Sequence, residues 1–121
     1  MNSMLQSTLC GVLAFVATVI PASAESCNLF GKIKSKNSSR PVTITFINRT
    51  DALRNVTWLD FKGKPVDYAH LQPGEKFTIN TFITHPWMFT DGPRNCHEIF
   101  MPKKNSKSFR ITVERQDLGE K

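Results

Sequence analysis

Pro41-Val42-Thr43-Ile44-Thr45-Phe46-Ile47 sets Val42, Ile44 and Phe46 against Thr43 and Thr45, apolar and polar by turns. A strand sends successive side chains to opposite faces, so this period of two reads as a half-buried strand, and the Asn48-Arg49-Thr50-Asp51 cluster ends it. Working outward, Val56-Thr57-Trp58-Leu59-Asp60-Phe61 is a second β-rich run, closed by Lys62-Gly63-Lys64-Pro65. Gly63 supplies the positive φ of a tight turn there, which predicts a hairpin to the segment around Tyr68. Gln72-Pro73-Gly74-Glu75 has Pro and Gly in the order of a type II turn. Strands are expected to follow over Lys76 to Ile83, Pro86 to Thr90, Glu98 to Met101 and Ser108 to Val113, with a weaker first strand over Asn28 to Lys34 and a frayed tail from Glu114. No window of about eleven residues keeps a helical period. Short strands at this spacing, about seven in all, predict an all-β chain folded as a single seven-stranded β-sandwich. Phe46, Leu59, Phe61, Ile79, Phe89 and Phe100 fall on apolar alternations and are its expected core.

The N-terminus has a different character. An apolar run from Leu9 to Ile20 precedes Pro21 and Ala22-Ser23-Ala24, the form of a secretory signal peptide over residues 1–24 with cleavage after Ala24. The run is short for a bilayer, which favours a removed signal over an anchor. Residues 25–121 then form the one domain, secreted or periplasmic. All 16 Lys and Arg and all 10 Asp and Glu lie in it, so its net charge is still +6. The basic residues are scattered except at Lys103-Lys104 and Lys107. That distribution reads as a solvated basic loop rather than a nucleic-acid surface, and secretion argues the same way. Cys27 and Cys96 remain after maturation, and an oxidising compartment predicts a disulfide between them. The rival for Cys96, a metal site with His97 and His85 or His70, lacks the spacing of a closed zinc set, so no metal is expected. Three glycosylation sequons begin at Asn37, Asn48 and Asn55.

No nucleophile elbow, phosphate loop or carboxylate pair is present, and His85 has no base-orienting carboxylate in its motif, so no enzyme activity and no cofactor are expected. Candidate binding residues gather between Trp58 and Phe89. His85 and Trp87 are two apart on an extended segment, with Phe89 continuing the row, so the imidazole and indole leave one face. They form either one wall of a pocket or a core tryptophan with a histidine capping the sheet end. Tyr68 either faces a ligand or packs. Strict alternation from Phe77 and Ile79 aims Thr81 inward, so its hydroxyl needs a bulge, or a pocket at the edge of the core, to serve a ligand.

Ile44 to Thr50, Trp58-Leu59-Asp60-Phe61-Lys62-Gly63-Lys64-Pro65, Tyr68, Leu71, Pro73-Gly74, His85-Pro86-Trp87-Met88-Phe89 and Glu98 to Pro102 follow one another in an order that resembles the β domain of the von Hippel–Lindau family, from Pro41 to Pro102. The interval from Gly74 to His85 needs no gap. The resemblance implies a seven-stranded sandwich whose surface pocket holds a hydroxyproline within an extended peptide. Carried to matching positions, the pocket comprises Trp58, Tyr68, Thr81, His85 and Trp87, with Asn80 and Phe82 beside it. Thr81 stands where the family has serine, Asn80 where it has histidine and Phe82 where it has tyrosine, so the rim departs more than the floor. The resemblance covers none of the helical domain through which the tumour suppressor joins its ubiquitin ligase, so binding chemistry alone is expected to carry over. The implied partner is a proline- or hydroxyproline-containing peptide or protein. The alternative is a secreted sandwich that docks a partner protein or envelope component by another face, for instance through the basic loop Lys103 to Lys107.

Overall fold

The computed structural model describes residues 24–25, 27–92 and 95–114. Apart from Ala24, the expected signal peptide lies outside the described residues, as does the tail beyond Glu114. Eight strands are present among those described: β1 (Ala24–Glu25), β2 (Pro41–Asn48), β3 (Arg54–Leu59), β4 (Pro65–Leu71), β5 (Lys76–Phe82), β6 (Trp87–Thr90), β7 (Cys96–Phe100) and β8 (Ser108–Ile111). Seven have four or more residues, and β1 adds a two-residue pairing with β7. They form two sheets packed as a sandwich, one ordered β1-β7-β6-β3-β4 and the other β5-β2-β8.

The alternation of β2 places Ile44 and Phe46 inside, where both are fully buried. They pair across to Ile79 and Phe77 of antiparallel β5, while Thr45 meets Thr78 on the outer face through a 2.7 Å hydroxyl contact. Parallel β8 flanks the other side of β2. Phe46 is the knob between the sheets. Its ring lies 5.4 Å from Trp87, 5.2 Å from Phe89 and 5.8 Å from Phe100. Both expected turns form: Gly63 (φ 81°) donates its N–H to Asp60 O, and Gly74 (φ 88°) sits in a turn closed by Glu75 N–H to Gln72 O. Asn48 ends β2 by accepting from Thr50 N–H and donating to Ala52 O and Leu71 O. Buried and bonded this way, it offers no glycan acceptor in the folded protein.

Three expectations need correction. Residues Asn28 to Lys34 are not a strand. Cys27–Leu29 form a 3₁₀ turn, and Lys32 and Ile33 N–H both bond Leu29 O, because Leu29, Phe30 and Ile33 have turn spacing and pack together on Leu59, Met88 and Ile99. That second cluster covers the outer face of the five-stranded sheet, so β6 is buried on both sides. Phe61 is not core but 46% exposed. Strand β3 stops at Leu59, since the Asp60 carboxylate accepts from Lys62 and Lys64 N–H and bends the chain before Phe61. Ile79 is half-buried, packed against the main core rather than within it. Phe46, Leu59, Phe89 and Phe100 are buried as expected.

The cysteines meet as expected. Cys27 and Cys96 are disulfide-bonded, with Cα atoms 6.0 Å apart, well inside the reach of the bond. The bond is compatible with an oxidising, extracellular environment, and it takes the Cys96 thiol out of any metal set. It clamps the 27–36 segment over the second cluster.

Candidate functional site

At one end of the sandwich the two sheets part around a cavity of about 310 Å³ lined by Trp58, Phe61, Tyr68, Ile79, Asn80, Thr81, Phe82, His85 and Trp87. Every binding residue expected from the sequence is among them. Trp58 and Trp87 are register partners on β3 and β6, so their indoles share the inward face. Strand β5 carries Thr81 on the opposite sheet, and the turn after it carries His85.

Tyr68 arrives by an irregularity. The β3–β4 register shifts between Val56 and Thr57, which pair Ala69 and Asp67 and leave Tyr68 as the extra residue of a bulge. A bulge re-aims one side chain without ending the ladder. Tyr68 thereby reaches 5.1 Å from the Trp87 ring and 6.4 Å from Trp58 while staying 45% exposed. Thr81 needs no bulge. It follows the strict alternation of β5 to the edge of the core, buried except for 4% of its surface.

The polar groups are arranged in relay. Trp87 Nε1–H donates to Thr81 Oγ1 at 3.1 Å, so the threonine hydroxyl, already accepting, keeps its own proton for a further acceptor. His85 Nε2 lies 3.1 Å from Lys36 O. A carbonyl only accepts, so Nε2 carries the proton and Nδ1 of the neutral ring is an acceptor. Burial lowers the His85 pKa below the ordinary histidine value, and the bond to Lys36 O offsets this only in part. Thr84 beside it holds a φ of 81°, uncommon for a β-branched residue, and its hydroxyl also donates to Lys36 O at 3.0 Å. Strain of this kind persists where surrounding contacts over-determine it. The carbonyl of Lys36 thus fixes both residues of the turn.

The rim differs from the floor. Asn80 and Phe82 are exposed, and Asn80 Oδ1 is engaged across the outer face by Thr43 Oγ1–H at 2.7 Å. Phe82 leans on His85 with ring centroids 5.2 Å apart. Trp87 is 2% exposed, so it is at once core and cavity wall, and the two readings of its spacing are both realised. Sequence reasoning missed Phe61, Ile79 and Lys36. The ring of Phe61 stands edge-on to Trp58 at 5.6 Å and to His85 at 5.3 Å. An aromatic immediately before a Lys-Gly-Lys-Pro turn was the available signal for it. Lys36 acts through its main chain and leaves no such signal. Among the described residues no three His, Cys, Asp or Glu side chains gather as a metal ion would require.

A family model described as the VHL beta domain matches residues 33–108, more than half of the chain. The match extends beyond the motifs on both sides, from the segment ahead of β2 to the first residue of β8.

Proposed function

Because the chain belongs to the VHL beta-domain family, whose members are substrate-binding domains that take protein substrates, we propose that it is a secreted, non-enzymatic module that binds proline, and preferentially 4-hydroxyproline, in extended peptide segments. The observation that carries this reading is the pairing of one donor and one acceptor beside a largely aromatic wall: the Thr81 hydroxyl, with its oxygen engaged by Trp87, and His85 Nδ1, with Nε2 engaged by Lys36. A hydroxyl group is both acceptor and donor. The ligand oxygen accepts from Thr81, its proton goes to His85, and Trp58, Tyr68 and Trp87 surround the pyrrolidine ring. Backbone pairing along the edge of β4, which has no partner strand among the described residues, would set the register of the flanking residues.

Magnitude decides the selectivity. Plain proline leaves the Thr81 donor and His85 acceptor desolvated and unpaired, at a cost of about 1–3 kcal/mol, so it binds roughly 5- to 150-fold more weakly. Calorimetry of hydroxyproline and proline forms of one peptide against the folded, disulfide-bonded protein tests this. Equal affinities sink hydroxyl recognition, and binding of neither peptide sinks the peptide reading altogether.

A further inference from the structure

A second concavity, of about 430 Å³, shares a wall with the aromatic cavity. Its floor is apolar, made by Ile33, Ile83, Met101 and Pro102, and its rim carries Lys32, Lys34, Lys36 and Lys103. The clustering has a local cause. Ile33 is drawn onto the second cluster, and Ser35 is buried by bonds to Asp60 O and Leu59 O, so the alternating neighbours Lys32, Lys34 and Lys36 are turned outward. None of the four lysines makes an ion pair among the described residues. Four like charges around an apolar floor repel one another and focus a positive field into the groove, an arrangement suited to a ligand that is acidic and partly apolar.

The wall between the two concavities is the Lys36 main chain. Its carbonyl accepts from Thr84, which lines the groove, and from His85, which lines the cavity. A peptide leaving the cavity over His85 meets the groove within a few residues. We infer that the groove binds the acidic flank of the same peptide whose proline fills the cavity, with Asp or Glu at the lysine rim and an apolar side chain on the floor. This rests on the function proposed above. A flat anionic surface would reach the lysines but not the recessed floor, which favours a peptide over a lipid headgroup.

The test uses the folded, disulfide-bonded protein and its Lys32→Gln/Lys34→Gln/Lys103→Gln variant, none of these residues belonging to the aromatic cavity. The probes are a neutral hydroxyproline peptide, versions with an Asp-Leu-Glu segment stepped along either side of the hydroxyproline, an acidic peptide lacking proline, and phosphatidylserine vesicles. At about 50 mM salt one flank should tighten binding roughly three- to tenfold over the neutral peptide, and the gain should fade towards about 0.5 M salt. The triple variant should keep the neutral-peptide affinity and lose that gain. If the neutral peptide binds but neither flank helps, or the gain survives in the variant, the groove inference falls and the proposed function stands. Lysine-dependent binding of the proline-free peptide or the vesicles, as tight as that of the best flanked peptide, would assign the groove to an independent ligand and overturn the inference. Failure of every hydroxyproline peptide removes the proposed function and this inference with it.

Discussion

Thr81 serves two neighbours at once, and this makes it the most informative side chain to change. Thr81→Val keeps the shape, removes the donor offered to a ligand, and leaves the buried Trp87 Nε1–H without its acceptor. We expect a stability loss of about 1–3 kcal/mol in denaturant titration, together with a reduced hydroxyproline preference while proline affinity remains. Trp87→Ala is a poorer probe. Its indole is core, so truncation should cost about 3–5 kcal/mol and confound binding with folding. Tyr68→Ala removes a half-exposed wall instead, and should weaken both peptides with little change in melting temperature. His85 gives a pH signature. Its folded pKa is lowered relative to the unfolded chain, so the unfolded state takes up the proton first. Its contribution to stability is complete above the unfolded histidine value near 6.5 and is lost as pH falls from there through the lowered folded value. Protonation also removes the Nδ1 acceptor. Hydroxyproline affinity should therefore drop on acidification through this window while proline affinity changes less, and calorimetry at a series of pH values would show it; parallel curves for the two peptides would contradict the assigned role.

The elements of the sandwich follow from patterns of two, and the departures from that pattern build the site. The alternation in β2 and β5 was legible because each strand faces the core on one side and solvent on the other. Strand β6 was legible only in part, since the 27–36 segment buries its second face and turns a half-buried strand into a wholly buried one. The bulge at Tyr68 was not legible, because a bulge is a property of a strand and its partner together. Deleting Asp67 should restore regular pairing, turn Tyr68 away from the cavity and abolish peptide binding while the far-ultraviolet dichroism of the sheet persists. The turn after β3 tests a second dependence. Gly63 has a φ of 81°, and a Cβ there would stand 3.2 Å from Ile33 O, so Gly63→Ala should destabilise the protein by about 1–2 kcal/mol in thermal or denaturant unfolding. It should also loosen the 27–36 segment that presents Lys36 O to His85.

At the scale of the molecule, the disulfide links the cover segment to the sheet it covers. Cys27 and Cys96 are 69 residues apart, so by the chain-entropy argument the bond contributes about 4 kcal/mol. Replacing both by serine should lower the melting temperature markedly and weaken hydroxyproline binding as well, through freedom gained at Lys36; a loss of stability with unchanged affinity would show that the cover does not tune the cavity. The sequence by itself determined the seven strands from β2 to β8, both glycine turns, the cysteine pairing and the residue types of the cavity. These depend on local alternation, on positive φ and on side chains whose chemistry travels with their identity. Only the tertiary structure decided that Phe61 lines the cavity rather than the core, that Leu29, Phe30 and Ile33 cap a second cluster, and that a main-chain carbonyl orients His85. Each of these depends on which surfaces meet, and a one-dimensional pattern shows that a side chain seeks burial without showing which of two faces will be covered, or by what.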